Sequence, residues 1–161
     1  MTPAINLLKK LKVVFNVHQY QHDTADTHFG EEAVAKLATR LQILPEQIFK
    51  TLVISLNGDN KQLAVVVLPV VCRLDLKKAA KALNCKNADM ADPVQAQKIT
   101  GYLVGGISPV GQKKLLPTLI HESAKEHNTM FVSGGKRGLE IELSPQDLAS
   151  TLSAQFVDIS C

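Results

Sequence analysis

Two apolar, β-branched runs, Lys50 to Leu56 and Gln62 to Pro69, are separated by Asn57-Gly58-Asp59-Asn60, and this arrangement constrains the chain more than any other stretch. An Asn-Gly pair tolerates positive φ at consecutive positions, so it can close two antiparallel strands in a turn whose twist matches theirs. The second run is nearly all apolar, which predicts a strand covered on both faces. Elements before and after the hairpin must therefore supply two covering layers.

The flanking sequence offers them. Thr2-Pro3 reads as a cap followed by proline at the first helical position, and Ala4, Leu7, Leu8 and Leu11 follow at helical spacing. Val13 to Tyr20 is β-branched and alternating, hence a strand, and Gln21 to Gly30 is polar and loop-like. Val34, Leu37, Ala38 and Leu41 repeat the helical stripe, and Pro45 opens a short turn into the hairpin. Asp75 caps a helix with Leu76, Ala79, Ala80 and Leu83 on one face, and Asp92-Pro93 starts another that ends by Gly101. A short strand is expected at Tyr102 to Val104. Thr129 to Ser133 and Leu139 to Leu143 read as strands, Ser144-Pro145 caps a helix carrying Leu148 and Leu152, and Gln155 to Ile159 reads as a last strand. The mixture predicts a single α+β domain over residues 1–161, with a strongly curved, mixed, barrel-like sheet surrounded by helices.

Charge and cysteine content exclude several functions. Eighteen basic against fifteen acidic residues leave a net charge of +3, far from the dense positive field of a dedicated nucleic-acid binder. The lysines nevertheless cluster, as Lys9, Lys10 and Lys12, as Lys77, Lys78 and Lys81, as Lys113 and Lys114, and as Lys136 with Arg137. The last two sets flank glycine-rich loops, where they could hold the phosphates of a strand end. Cys72, Cys85 and Cys161 lack Cys-x-x-Cys spacing, and His18, His22 and His28 fit no common ligand spacing, so neither a disulfide framework nor a metal site is expected. No apolar segment is long enough to span a membrane, and the first residues lack the pattern of a secretory signal, so a cytoplasmic protein without a cofactor is expected.

The candidate chemistry lies in two places. Gly105-Gly106-Ile107-Ser108-Pro109-Val110-Gly111 places glycines on both sides of a rigid Ser-Pro pair, which suits either an ordinary turn or backbone amides brought close to a carbonyl, phosphate or ribose. It matches neither the phosphate-loop nor the dinucleotide-binding pattern. Lys50 stands where a helical turn gives way to the first hairpin strand, so its ammonium projects from a rigid edge. The sequence shows no Ser/His/Asp arrangement and no nucleophilic cysteine with a nearby histidine.

Phe49-Lys50-Thr51-Leu52, Leu74-Asp75-Leu76-Lys77-Lys78-Ala79-Ala80, Gly105-Gly106-Ile107-Ser108-Pro109 and Ser133-Gly134-Gly135-Lys136-Arg137-Gly138-Leu139 occur in an order and at spacings that resemble the YbaK/EbsC family. The likeness runs from Thr2 almost to the end of the chain, and is greatest to the branch of Cys-tRNA(Pro) deacylases, similar to the editing insertion of bacterial prolyl-tRNA synthetases. The resemblance implies removal of cysteine wrongly attached to tRNA(Pro), acting in trans and assisted by prolyl-tRNA synthetase. A proline pocket cannot strongly exclude cysteine, because small differences in an apolar pocket give only ~10 to 200-fold discrimination, so a second, hydrolytic site is needed. By resemblance, Lys50 and Gly105 are the catalytic positions, and Tyr20, Phe29, Thr51, Gly106, Ser108, Pro109, Ser133, Gly134 and Glu140 surround the substrate. Glu140 departs from the aspartate that the family often shows there. The resemblance further implies that the substrate's own thiol attacks its ester, which needs orientation more than activation. A deacylase for Ala-tRNA(Pro), or a non-catalytic module for a tRNA acceptor end or nucleotide, are the alternative readings.

Overall fold

The computed structural model describes residues 2–23 and 28–161, so part of the polar segment expected between Gln21 and Gly30 lies outside the described residues. The hairpin is its centre. Strands β2 (Phe49–Leu56) and β3 (Asp59–Pro69) pair antiparallel from Phe49↔Pro69 to Ser55↔Leu63. Asn57 and Gly58 sit at φ +55° and +70°, as a two-residue turn that follows the strand twist requires.

Around this hairpin a five-stranded mixed sheet has the order β4-β2-β3-β5-β8, with β4 at Ala88–Met90, β5 at Thr118–His121 and β8 at Gln155–Val157. β5 runs parallel to both β3 and β8, whereas β2 is antiparallel to both its neighbours. A second, antiparallel sheet has the order β1-β7-β6, from Phe15–Gln19, Leu139–Leu143 and Met130–Ser133. A parallel bridge between Ile48 and Phe131 joins the two at the start of β2. The barrel-like core expected from sequence is thereby corrected: among the described residues there are two sheets with open edges, not a closed ring. The edge strands β4 and β8 have only three residues each, too few to carry the pairing round.

β3 explains why both covering layers are needed. Val65 and Val67 face a cluster with Ile5, Leu8, Val53, Ile120, Met130, Ile141 and Leu148, while Ala64, Val66 and Leu68 face one with Ile54, Ala79, Ala80, Leu119 and Ile159. Each fully buried valine or leucine contributes roughly 1.5–3 kcal/mol, so this alternation ties the strand to both layers. Helices α1 (Pro3–Lys10) and α6 (Pro145–Leu152) cover the first side and α4 (Leu76–Ala82) the second. The expected caps are present: Thr2, Asp75, Asp92 and Ser144 each accept a backbone N–H of the following first turn. Leu11, expected on the buried stripe of α1, is half exposed because the helix ends at Lys10 and Lys12 turns away at φ +59°.

The stripe of Val34, Leu37, Ala38 and Leu41 forms a run of α2 (Phe29–Ala33), a π-helical turn (Val34–Ala38) and α3 (Thr39–Leu41), with Leu37 and Ala38 packed on Ile48 and Phe131. Helix α5 (Pro93–Thr100) stops at Gly101, whose φ is +83°. The strand expected at Tyr102 to Val104 is absent. Tyr102 instead buries its ring and donates its hydroxyl to the Val110 carbonyl at 2.7 Å, closing the glycine loop from within. Among the described residues no helix is long and apolar enough to cross a membrane.

Candidate active site

A cleft of about 460 Å³ opens between the first residues of β2, the N-terminal turn of α2, the loop around Gly105 and the turn between β6 and β7. Lys50, Thr51, Tyr20, Phe29, Gly105, Ser133 and Glu140 all line it. Lys50 is half-buried, and its ammonium donates to the Cys72 carbonyl at 2.7 Å and, more weakly, to the Val70 carbonyl at 3.5 Å. These carbonyls follow the end of β3, so the hairpin itself aims the cation. An ammonium has three N–H donors, which leaves donor capacity toward the cleft. Next to it, the Thr51 hydroxyl is shielded from solvent and, among the described residues, has no hydrogen-bond partner. A buried hydroxyl left unpaired costs about 1–3 kcal/mol, the kind of debt a bound polar group relieves.

Gly105 also forms part of the cleft wall, at φ +94°. A Cβ there would stand 2.8 Å from Phe29 Cε2 and 3.0 Å from Arg137 Nε, so both conformation and space require glycine. Arg137 sits over the face of Phe29, its guanidinium carbon 3.7 Å from the ring centroid. Its Nη1 donates to His22 Nε2 at 2.9 Å, and because arginine can only donate, His22 must carry its proton on Nδ1, which donates to Glu32 at 2.8 Å. Glu32 is 3% exposed; burial pushes its pKa up, but bonds from His22, the Asp23 amide and Lys36 outweigh it and hold the carboxyl at about 2. Glu140 is 6% exposed, and burial pushes its carboxyl up to about 8, so at neutral pH it is mostly protonated and offers an O–H.

The other residues expected at the substrate do not line the cleft. Gly106 is buried against the Lys136 backbone, where a Cβ would come within 2.8 Å, and its amide donates to the Leu103 carbonyl at 3.0 Å. Ser108 is fully buried, its hydroxyl accepting from the Val110 amide at 3.2 Å, and Pro109 is buried beside it. Gly134 backs onto Leu139, with 2.7 Å between its ideal Cβ and Leu139 Cγ. These four shape the two glycine loops from behind. Ser133 lines the cleft while its hydroxyl accepts from the Gly135 amide at 3.2 Å. Tyr20, at the end of β1, carries the Lys36 ammonium 5.8 Å from its ring centroid.

Sequence reasoning did not foresee the carbonyl anchors of Lys50 or the Glu32–His22–Arg137 chain, although Arg137 sits within the Ser133 to Leu139 motif. It also missed one alignment. His121 Nδ1 lies 2.8 Å from the Ser123 hydroxyl, and its Nε2 lies 3.3 Å from Asp158, so a Ser/His/Asp row does exist. This row lies outside the cleft lining. His121 caps a 3₁₀ turn by accepting the Ser123 amide at 3.2 Å, and Asp158 is bound by Lys78 at 2.9 Å, which accounts for the arrangement as a cap and an ion pair.

Comparison with known proteins fits this geometry. The profile of the aminoacyl-tRNA editing domain matches residues 29–151, a span that holds Phe29, Lys50, Thr51, Gly105, Ser133, Arg137 and Glu140. The chain belongs to the aminoacyl-tRNA editing domain family. Its resemblance to the YbaK/EbsC proteins is borne out by EbsC of Enterococcus faecalis, named as a candidate Cys-tRNA(Pro)/Cys-tRNA(Cys) deacylase, which is 37% identical over 99% of this chain and 93% of that protein. A proline–tRNA ligase of Moorella thermoacetica is 33% identical over 82 residues, 51% of this chain and 14% of the ligase. The editing-domain fold recurs in the crystal structure of a candidate trans-editing enzyme for prolyl-tRNA synthetase, with a TM-score of 0.81, 24% identity and coverage of 100% of this chain and 98% of the other. A hypothetical protein of known structure gives a TM-score of 0.84 at 22% identity, covering 99% of this chain and all of its own.

Proposed function

We propose that this editing domain acts in trans as a deacylase of mischarged Cys-tRNA(Pro), and that the substrate's own thiol displaces the tRNA. The observation that carries this reading is the convergence of Lys50, Thr51, Phe29, Gly105, Ser133 and Glu140, from separate parts of the chain, on one cleft whose lining contains no cysteine. The similarity to EbsC supports the amino acid and the tRNA.

In this mechanism Lys50, fixed by two backbone carbonyls, orients the ester and its ribose. The Thr51 hydroxyl gains in the substrate the partner that it lacks in the free protein. The backbone at Gly105, with no Cβ in the way, approaches the ester carbonyl and stabilises the oxyanion. The thiol sulfur forms a bond to the carbonyl carbon, the bond to the ribose oxygen breaks, and the thiol proton passes to that oxygen. The products are a cyclic thiolactone and tRNA with its hydroxyl restored. Tethering of the nucleophile replaces a protein base, because proximity alone can supply an effective molarity of ~10⁵ M or more. Neutral Glu140, able to donate, is suited to a substrate carbonyl or hydroxyl.

Val53, Met90, Ala91 and Ala96 make part of the lining apolar, and they favour a second reading in which alanine is accepted. The deciding experiment is a panel of Cys-tRNA(Pro), Ser-tRNA(Pro), Ala-tRNA(Pro) and Cys-tRNA(Cys) incubated with the purified chain. Fast release from Cys-tRNA(Pro) with Ser-tRNA(Pro) surviving is expected. Equal cleavage of the cysteine and serine esters rules out thiol assistance, and tight tRNA binding without turnover of any ester leaves only a binding module. The partner proposed is prolyl-tRNA synthetase in a transient complex. Enhanced deacylation on its addition is expected, and failure of the synthetase both to enhance deacylation and to co-purify counts against the complex.

A further inference from the structure

Arg137 is exposed at the cleft, yet it is held at three points: by the Phe29 ring beneath it, by His22 at Nη1, and by Gly105, which leaves just enough room at Nε. Among the described residues no carboxylate touches it. The nearest anion in the network, Glu32, acts through the neutral ring of His22 and has its own charge met by Lys36 at 3.1 Å. A direct carboxylate would have cancelled the guanidinium charge. Interposing histidine keeps the orientation and leaves the positive charge for something else.

The occupant follows from size and chemistry. A cleft of about 460 Å³ is in the range that holds one small molecule, such as an aminoacyl group with its ribose and base. The next group along an acyl-tRNA is the phosphodiester between the last two nucleotides, which must then fall at the rim. A planar, immobilised guanidinium with a free edge matches two phosphate oxygens, and little rotamer entropy remains to be lost. Lys136, also on the lining, adds positive charge beside it.

We propose that Arg137 is the receptor for the phosphodiester that precedes the terminal adenosine of the bound tRNA, and that His22 and Glu32 are positioning residues that keep it over Phe29. This deepens the deacylase reading and rests on it for the ligand's identity. The test compares binding of the dinucleotide CpA, which carries that phosphodiester, with adenosine, which does not, by calorimetric titration of the full chain. Wild type is expected to prefer CpA about tenfold, Arg137→Ala to lose the preference, Arg137→Lys to recover only part of it, and His22→Ala to weaken it about threefold. For Cys-tRNA(Pro), Arg137→Ala is expected to raise KM about tenfold with a smaller change in kcat. No CpA preference in wild type, or an undiminished preference in Arg137→Ala, overturns the subsite. Full preference in His22→Ala overturns the positioning role. Binding needs no turnover, so failure of the deacylase reading shows as an inert Cys-tRNA(Pro) assay while the CpA preference stands on its own.

Discussion

Two glutamates serve the same cleft and are almost equally buried, Glu32 at 3% exposure and Glu140 at 6%, yet they carry opposite charge states. At the mouth, Glu32 collects donors from His22, Asp23 and Lys36 and is held at about 2. On the cleft wall formed by β7, burial acts on Glu140 and raises it to about 8. Burial does not decide ionisation here; the supply of donors does. The mouth is a wired, charged region built to hold a side chain still, and the inner wall is a sparsely bonded region with polar groups waiting for a partner.

That contrast can be broken in several places. The largest effect is expected from Lys50→Ala in the sparse region: deacylation should fall at least ~100-fold while stability drops by only about 1 kcal/mol, since two carbonyl contacts are lost and no core is opened. Single-turnover deacylation beside a thermal melt checks both, and retained activity removes Lys50 from the chemistry. In the wired region, Glu32→Gln should lower stability at neutral pH by about 2 kcal/mol, because charge-assisted bonds from three donors are weakened together. The sign is that of a depressed carboxyl: the stabilisation is full above about 4.5, the unfolded value, and fades as pH falls toward 2. Urea unfolding across that window should show a flatter acid limb in the variant.

Gly105→Ala lies on the border between the regions, where the new methyl meets Phe29 and Arg137. About a tenfold loss of deacylation is expected, with His22→Ala additive to less than its own effect because both act through Arg137. Near pH 5 the smallest effect is that of Glu140→Gln. A raised carboxyl pKa means that the wild type loses stability as pH climbs from about 4.5 through about 8, since the folded state holds the proton more tightly than the unfolded one. The glutamine variant should match wild type near pH 5 and exceed it by several kcal/mol at pH 9. Parallel curves would show that Glu140 is ionised throughout.

What could be read from the residues alone follows the range of the interactions. The caps at Thr2, Asp75, Asp92 and Ser144 and the Asn57-Gly58 turn depend on neighbours within a few positions, so they were legible. β4 and β5 were not. Ala88–Met90 becomes a strand by pairing with the exposed edge of β2, and Thr118–His121 by running parallel to β3, and neither has a local alternation that announces it. Tyr102 to Val104 has strand-like side chains, but its phenol is drawn into the glycine loop. In the cleft, Lys50, Gly105 and their companions stood out through ordered motifs. The carbonyls that steady Lys50 and the histidine that links Glu32 to Arg137 belong to distant or loop-borne segments, with no signature short of the folded chain.

The docking of α1 has a practical corollary. Thr2 donates its hydroxyl to the Gly134 carbonyl at 2.5 Å, Gly135 rests on the same threonine, and Gly111 lies so close to Pro3 that a Cβ would come within 2.7 Å of its carbonyl carbon. Both glycine-rich segments are thus latched by the opening residues of the chain. A purification handle fused at that end would press on the latch, so enzymology on this protein belongs with tags placed at Cys161 or cleaved away.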